Sequence, residues 1–537
     1  LSGAASGWDE LGYEPSSSVP EFPHAVDGPS AKAAIELPAA ERTKTGPSQA
    51  TVLVQLAHSL YRIIHGDEGR FYAVERGRPS IAMELNKDRF GSRLAADYFA
   101  AKTQAASGSA LNDAMAVLRG QVLNDAVTPV YLRMARHEGR VVLDLGTDDC
   151  RALVVSPSGW QVVEQSPVLF RRNGLGLPFP TPAKGGSVDG LHALLNVDDR
   201  RFRLLVGWLI STFLPDIPQA ILVITGQQGT AKTTTAKMLL NMFDPNAAGV
   251  QSQPTNEENW AVSARAVYGV GLDNVSRMPP WFQDAVCKAT TGAAFVRRAR
   301  YSDDSPSTIN LKRPIVITTI NPGALQGDVA DRMLKVELDP VDEAHRREAA
   351  EVDEAFNAAW PQTFGALLDL VALVLAAHPG VVLARKSRMA DFMRVLAALD
   401  QVTGWDTLHS YRAAIEAVSQ DVIDGDSFAT SLVALVEQVG VWTGTCGELL
   451  ARLEDGKQHT DWPKTPRGAA EKLTRLSPAL AKAGVLVARH ERSNRGTQYS
   501  ITRAGVILCA ICQTPIAAAL VTAGESTHPT CQDEEAF

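Results

Sequence analysis

The sequence predicts a multidomain α/β protein organised on a largely parallel sheet. Three observations lead there. At 537 residues the chain is too long for one hydrophobic core, so three or four domains are expected. From Ala220 onward strand and helix alternate: Ala220–Thr225, Val267–Leu272 and Ile315–Ile320 read as strands, and Lys232–Phe243 as a helix. The first of these strands runs directly into a glycine-containing loop that opens the helix.

Composition narrows the class. Hydrophobic residues make up 45% and charged residues 21%, the balance of an ordinary soluble globular protein. A net charge of -8 excludes a uniformly basic nucleic-acid binder but leaves room for a local basic surface. The most apolar stretch, Phe364–Ala377, is short and carries Asp369, so it reads as a buried amphipathic helix and no membrane is expected as a partner. No basic patch followed by an apolar run opens the chain, so no secretory signal is visible. Six cysteines do not make a disulfide framework, and a reducing, cytoplasmic setting is expected. A first residue of Leu1 reads as a non-standard start or a fragment of a longer product.

Element by element, residues 1–50 are rich in Pro, Ser, Ala and Gly and read as a disordered tail or linker. Residues 51–199 form a mixed α+β N-terminal domain. It is mainly helical to Arg140, with Leu53, Leu56, Leu60 and Ile63 on one face, and then strand-like through Val163. The core spans 200–345, beginning with a helix that ends before Pro215. A helical segment follows over 346–439, a small basic module over 440–503, and a short tail over 504–537. No repeat is apparent.

The loop is Gly226-Gln227-Gln228-Gly229-Thr230-Ala231-Lys232-Thr233-Thr234. Glycines let successive backbone N–H groups turn toward phosphate oxygens, and the helix N-terminus adds its dipole. Lys232 supplies a point charge for the β- and γ-phosphates of ATP, and the Thr233 hydroxyl can ligate Mg²⁺. Ala231 stands where the second glycine of the motif is expected.

Hydrolysis needs a carboxylate on a neighbouring strand to hold Mg²⁺ through water, and Asp273 offers it. The next residue is Asn274, which orients water but accepts no proton. Asn321, at the end of Ile315–Ile320, is placed to bond the γ-phosphate; a turn-forming Asn before Pro322 is the plainer alternative. Arg332 can reach a neighbouring subunit's γ-phosphate, or else pair with Asp331 or Asp328.

In this order and spacing, GQQGTAKTT, GLDN, TTGAAFVRR, ITTIN and DVADR resemble the superfamily 3 helicase core, a P-loop ATPase of the AAA+ type. The nearest likeness is to primase-helicases of phages and integrative elements, including ATP-binding proteins of actinobacterial mobile elements. The similarity is firm over about 200–345 and looser over 50–200, where Arg140–Leu145 and Trp160 resemble the preceding domain. It implies a homo-oligomeric, hexameric ring that hydrolyses ATP between subunits and moves along DNA.

Two segments are candidates for DNA contact. Ala294–Tyr301 and Ile309–Arg313 flank a polar turn and read as a hairpin. In the resembling helicases a hairpin at this place enters the ring channel, where Arg297, Arg298, Arg300, Lys312 and Arg313 would meet phosphates. An exposed basic hairpin without a ligand is the alternative. In the 440–503 module, Thr445-Cys446-Gly447-Glu448 fits a capping box, Pro466–Ala483 a second helix carrying Arg467, Lys472, Arg475 and Lys482, and Val485–Ile501 a hairpin. This is the order of a winged helix, with Arg489, Arg492 and Arg495 on the wing, though such modules also dock proteins.

In the tail, Cys509-x2-Cys512 and His528-x2-Cys531 offer two close ligand pairs for a structural, tetrahedral Zn²⁺. Cys150, Cys287 and Cys446 are isolated and ordinary. The whole reads as a DNA-dependent ATPase, a replicative helicase of a phage or mobile element acting on single-stranded or forked DNA. A primase, whose carboxylate cluster is not evident here, would come from elsewhere. The rival is a nucleotide-switched DNA-binding initiator that does not unwind, which Asn274 favours.

Overall fold

Leu53 and Ala57, four residues apart, are buried on one face of the first helix, α1 (Gln49–Leu60). The helical face expected to continue to Ile63 stops here. Leu60 is 37% exposed, and Ile63 lies in a strand, β1 (Tyr61–His65), because Tyr61, Ile63 and Ile64 favour extended backbone. The computed structural model describes residues 46–298, 306–320, 329–342, 346–385, 388–453, 462–493 and 496–504.

β1 pairs antiparallel with β2 (Phe71–Glu75), and β2 with β3 (Ala82–Glu84). Helices α2 (Ser92–Lys102) and α3 (Gly108–Val122) share a core with α1, built on Leu53, Phe90, Leu94 and Leu118. β4 (Val130–Tyr131) leads into an antiparallel sheet of β5 (Met134–His137), β6 (Arg140–Asp144), β7 (Ala152–Ser156) and β8 (Gly159–Val163). β9 (Leu169–Phe170) returns to pair with β4. After the short α4 (Asp189–His192), α5 (Asp199–Thr212) starts at Asp198, whose side chain accepts from Arg201 N.

The central sheet is built from β10 (Ile221–Thr225), then α6 (Lys232–Phe243), β11 (Val250–Gln251), α7 (Glu257–Ala266), β12 (Val270–Leu272) and α8 (Pro280–Thr291). A two-stranded hairpin, β13 (Ala294–Arg298) with β14 (Pro306–Asn310), precedes β15 (Ile315–Thr318) and β16 (Met333–Glu337). The strand order is β11-β12-β15-β10-β16, every pair parallel. All five residues of β10 are buried. Leu222 and Ile224 join the core on one face, while Ile221 and Val223 join that on the other, beside Trp260 and Phe282 of α7 and α8. A sheet covered on both faces explains why its strands read as continuous apolar runs.

One buried ion pair fastens the N-terminal strands to this sheet. The Arg133 guanidinium donates to Asp244 Oδ1 at 2.9 Å and to the carbonyls of Pro245 and Leu177 at 2.8 and 3.1 Å. Asp244 Oδ2, just past α6, accepts from the backbone N–H groups of Tyr268 and Gly269, each at 2.8 Å. Both charges are nearly inaccessible, at 5% and 4% exposure.

Beyond the sheet run α9 (Ala349–Ala377), α10 (Ala390–Thr403), α11 (Thr407–Asp424) and α12 (Ser427–Val439). At 29 residues α9 is longer than its most apolar stretch suggested, and by length and composition alone it could cross a bilayer. It packs instead on α4, α5, β7, β8 and α10, with 56% of its most apolar window buried in protein, and Asp369 accepts from Trp160 Nε1 at 2.7 Å. Last come β17 (Val441–Thr445), α13 (Cys446–Arg452), α14 (Pro466–Lys482), β18 (Val485–Ser493) and β19 (Gly496–Arg503). They form a three-stranded sheet of order β17-β19-β18 over a core that includes Phe428, Trp462, Leu473 and Ile501. The capping box at Thr445 and Glu448 is formed as the sequence predicts.

Candidate nucleotide site

The loop after β10 turns sharply at Gly226, whose φ of 148° suits glycine, and a Cβ there would meet Thr230 Oγ1 at 2.7 Å. Ala231 takes the left-handed conformation, φ 61°, at the N-cap of α6. It therefore holds the geometry for which a glycine is expected, with a Cβ present. Thr230 is buried and donates to the Gln227 carbonyl at 3.0 Å. Gln227, Gln228 and Gly229 are exposed, while Thr234 lies in the first turn of α6. Lys232 Nζ donates back to the carbonyls of Gly226 and Gln227 at 2.9 and 2.7 Å. Partial burial draws its ammonium below the ordinary value, and the nearby Asp273 carboxylate opposes that shift.

Asp273 follows β12, and the strand order corrects one expectation. The acid strand does not neighbour the loop strand, because β15 lies between them. Asp273 is joined to the loop helix across that gap: Thr233 Oγ1 donates to Asp273 Oδ1 at 2.9 Å, and Thr318 Oγ1, at the end of β15, donates to the same oxygen at 2.6 Å. Thr318 also accepts from Asn274 N at 2.8 Å, and Asn274 sits at φ 50° with its side chain exposed. Two hydroxyls and a carboxylate thus converge at the carboxyl ends of three strands, beside a helix N-terminus. This donor set fits a hard divalent cation and a polyphosphate. Thr318 was missed in sequence; its signal is a polar residue ending the apolar run Ile315–Ile317. Arg346 was missed too: its guanidinium lies beside Gly229, 3.5 Å from where a Cβ would stand.

Arg332 ends a 3₁₀ turn (Ala330–Arg332) before β16. The carboxylate of its neighbour Asp331 accepts from Lys482 Nζ of α14 at 2.8 Å and lies 3.4 Å from Arg388 Nη1. Asn321 lies outside the described residues, as do Arg300, Arg495, Cys509, Cys512, His528 and Cys531.

The basic segments divide. The hairpin is formed, with Arg297 and Arg298 on β13, but β14 ends at Asn310. Lys312 and Arg313 lie beyond it, half-buried, and donate to the carbonyls of Asp216 and Ala264 at 2.7 and 2.9 Å. In the C-terminal module Arg489 is exposed on β18, where Arg492 also lies. Lys472 does not join a basic helix face: it is 7% exposed and pairs with Asp426 at 2.9 Å.

Comparison with known families matches residues 188–421 to the actinomycete integrative conjugative element replication protein, and residues 428–515 to the AICE RepA C-terminal domain. Among solved structures, the apo C-terminal region of NrS-1 aligns at 13% identity and a TM-score of 0.37, covering 85% of this chain and 99% of that one. The helicase of JCV aligns at 13% identity and a TM-score of 0.20, covering 44% of this chain and 72% of that one. No curated protein matches.

Proposed function

This chain belongs to the replication-protein family of actinomycete integrative conjugative elements, and from that premise we propose that it is a DNA-dependent ATPase of the AAA+ type that unwinds DNA during replication of the element. One observation carries the reading: Thr233, Asp273 and Thr318 form a continuous hydrogen-bonded set at the mouth of the loop. ATP would lie along residues 226–234, with Mg²⁺ held by Thr233 and, through water, by Asp273. Such an ion would offset charge on the phosphates; Lys232 would exchange its loop carbonyls for the β- and γ-oxygens, and Arg332 would act at the neighbouring subunit of a ring. The interposed β15 supports the AAA+ assignment, and the helix–strand–helix–helix–hairpin order of 427–503 supports a winged helix, for which Arg489, Arg492 and Arg495 would be the phosphate contacts. The paired spacing of Cys509, Cys512, His528 and Cys531 supports a structural Zn²⁺, which measurement of zinc per chain tests.

The deciding experiment measures ATP hydrolysis with and without single-stranded DNA, in the intact chain and in Lys232→Ala. Stimulation by DNA that disappears in the variant is expected. Tight ATP binding with negligible turnover would sink the motor. It would favour the second reading, a nucleotide-switched initiator, for which the observation is Asn274 in the place of a second acid.

A further inference from the structure

Away from the loop there is a cavity of about 350 Å³, within the roughly 300–1,000 Å³ range of small-ligand sites. Its floor comes from the segments that enter the central sheet: Pro215 and Asp216 before β10, Tyr268 before β12, Lys312 and Arg313 before β15. The phosphate-binding loop follows β10. Because the strands are parallel, the cavity lies at the opposite end of the sheet and is a separate place. Its other wall belongs to the N-terminal strands, with Tyr72, Tyr131, Leu132 and Arg136.

Four cations line it, Arg136, Arg171, Lys312 and Arg313, against three acids, Asp67, Glu68 and Asp216. Two of the acids have partners: Glu68 is held by Arg265 at 2.6 Å, which lies outside the lining, and Asp216, half exposed, pairs loosely with Arg136 Nε at 3.9 Å. Burial first, then the charge of Glu68, raises the Asp67 carboxyl above its ordinary value, with the charge of Arg171 opposing the shift. Arg136 Nη1 is buried without a hydrogen-bond partner. Arg313 is pushed down to about 10 by burial, with the like charge of Arg171 adding to the shift. An oriented buried donor beside two mutually repelling guanidiniums is satisfied by an anion, and a planar, multi-donor guanidinium fits phosphate best.

We propose that this cavity binds a phosphorylated ligand of mononucleotide size, its phosphate held by Arg136, Arg171 and Arg313 and its ring against Tyr131 and Leu132. The nucleotide is either free or one unit of a DNA strand. The hairpin strand β14 runs beside residues 67–69 and ends three residues before Arg313, so a strand following the hairpin would reach this mouth. Nothing in the assignment depends on hydrolysis at the loop.

The test uses the full chain carrying Lys232→Ala and titrates it calorimetrically with deoxyadenosine monophosphate, which lacks the phosphates that the loop lysine would meet. Saturable binding is expected, weakened roughly tenfold or more by Arg136→Ala and by Arg171→Gln, at unchanged melting temperature. Arg136→Lys, which keeps charge but not the fork, should fall between and guards against misfolding of the alanine variant. Competition by a twelve-residue oligothymidylate identifies the ligand as a strand, and its absence as a free nucleotide; either upholds the site. No saturable binding at millimolar nucleotide, or equal affinity in folded Arg136 and Arg171 variants, overturns it.

Discussion

The hydroxyl of Thr318 donates a 2.6 Å hydrogen bond to the carboxylate of Asp273, from the strand that separates the acid from the loop. Thr318 is 1% exposed, so removing the hydroxyl leaves no water to replace it. A hydrogen bond to a charged group contributes about 1.5–3 kcal/mol. Thr318→Val should lower ATP turnover by roughly tenfold or more while nucleotide affinity changes little. Separate determination of kcat and KM checks this; a loss confined to KM would mean that Thr318 serves binding alone.

Ala231 holds a left-handed backbone at φ 61°, a conformation that costs an L-residue about 1–2 kcal/mol. Glycine removes that cost and gives back part of it as chain entropy, roughly 0.4–1 kcal/mol. Ala231→Gly should therefore stabilise the protein by a fraction of a kcal/mol up to about 1 kcal/mol, and Ala231→Val should destabilise it. Denaturant midpoints for the two variants should move in opposite directions.

Arg133 and Asp244 are a buried pair whose partners come from the N-terminal strands and the central sheet. Removing one charge strands the other, at a typical cost of about 3–5 kcal/mol. Arg133→Met should lower the unfolding free energy by that amount, read as a lower urea midpoint at unchanged slope. Because Asp244 also caps two backbone N–H groups, Asp244→Ala should be at least as damaging.

Burial, reinforced by the charges of Arg394 and Arg136, holds His378 below its ordinary value of 6.5. The unfolded chain then binds this proton more readily than the folded one. Stability from this group is complete above about 6.5 and is lost as pH falls from there through the depressed folded value. A stability–pH profile of His378→Asn should lack that acid-side loss; identical profiles would show that His378 is not its source.

The loop and its strand were legible because they depend on local order: an apolar run, glycines at fixed offsets, a lysine and two threonines. The link from Asp273 to Thr233 through Thr318 was not, since it depends on which strand lies next to which, and strand order is not written in any one segment. Leu60 and Ile63 continued a helical period by spacing alone, while the β-branched pair after Tyr61 decided for extended chain. Lys472 was misplaced for a similar reason: its helix is basic in composition, but Asp426, which caps α12, draws this lysine inward. The carbonyls that Lys312 and Arg313 meet are likewise distant in sequence.

Asp331 holds Lys482, the last residue of α14, at 2.8 Å, one peptide bond from Arg332. Helix α14 of the C-terminal module is thus tied to the turn that carries Arg332. This ion pair is partly exposed, at 36% and 21%, and it adds to the packing of both α14 and the turn against α11. Salt loosens such a tie, with screening lengths near 8 Å at physiological ionic strength falling to about 3 Å at 1 M. Raising salt should therefore weaken the ion pair while the packing on α11 keeps the module in place.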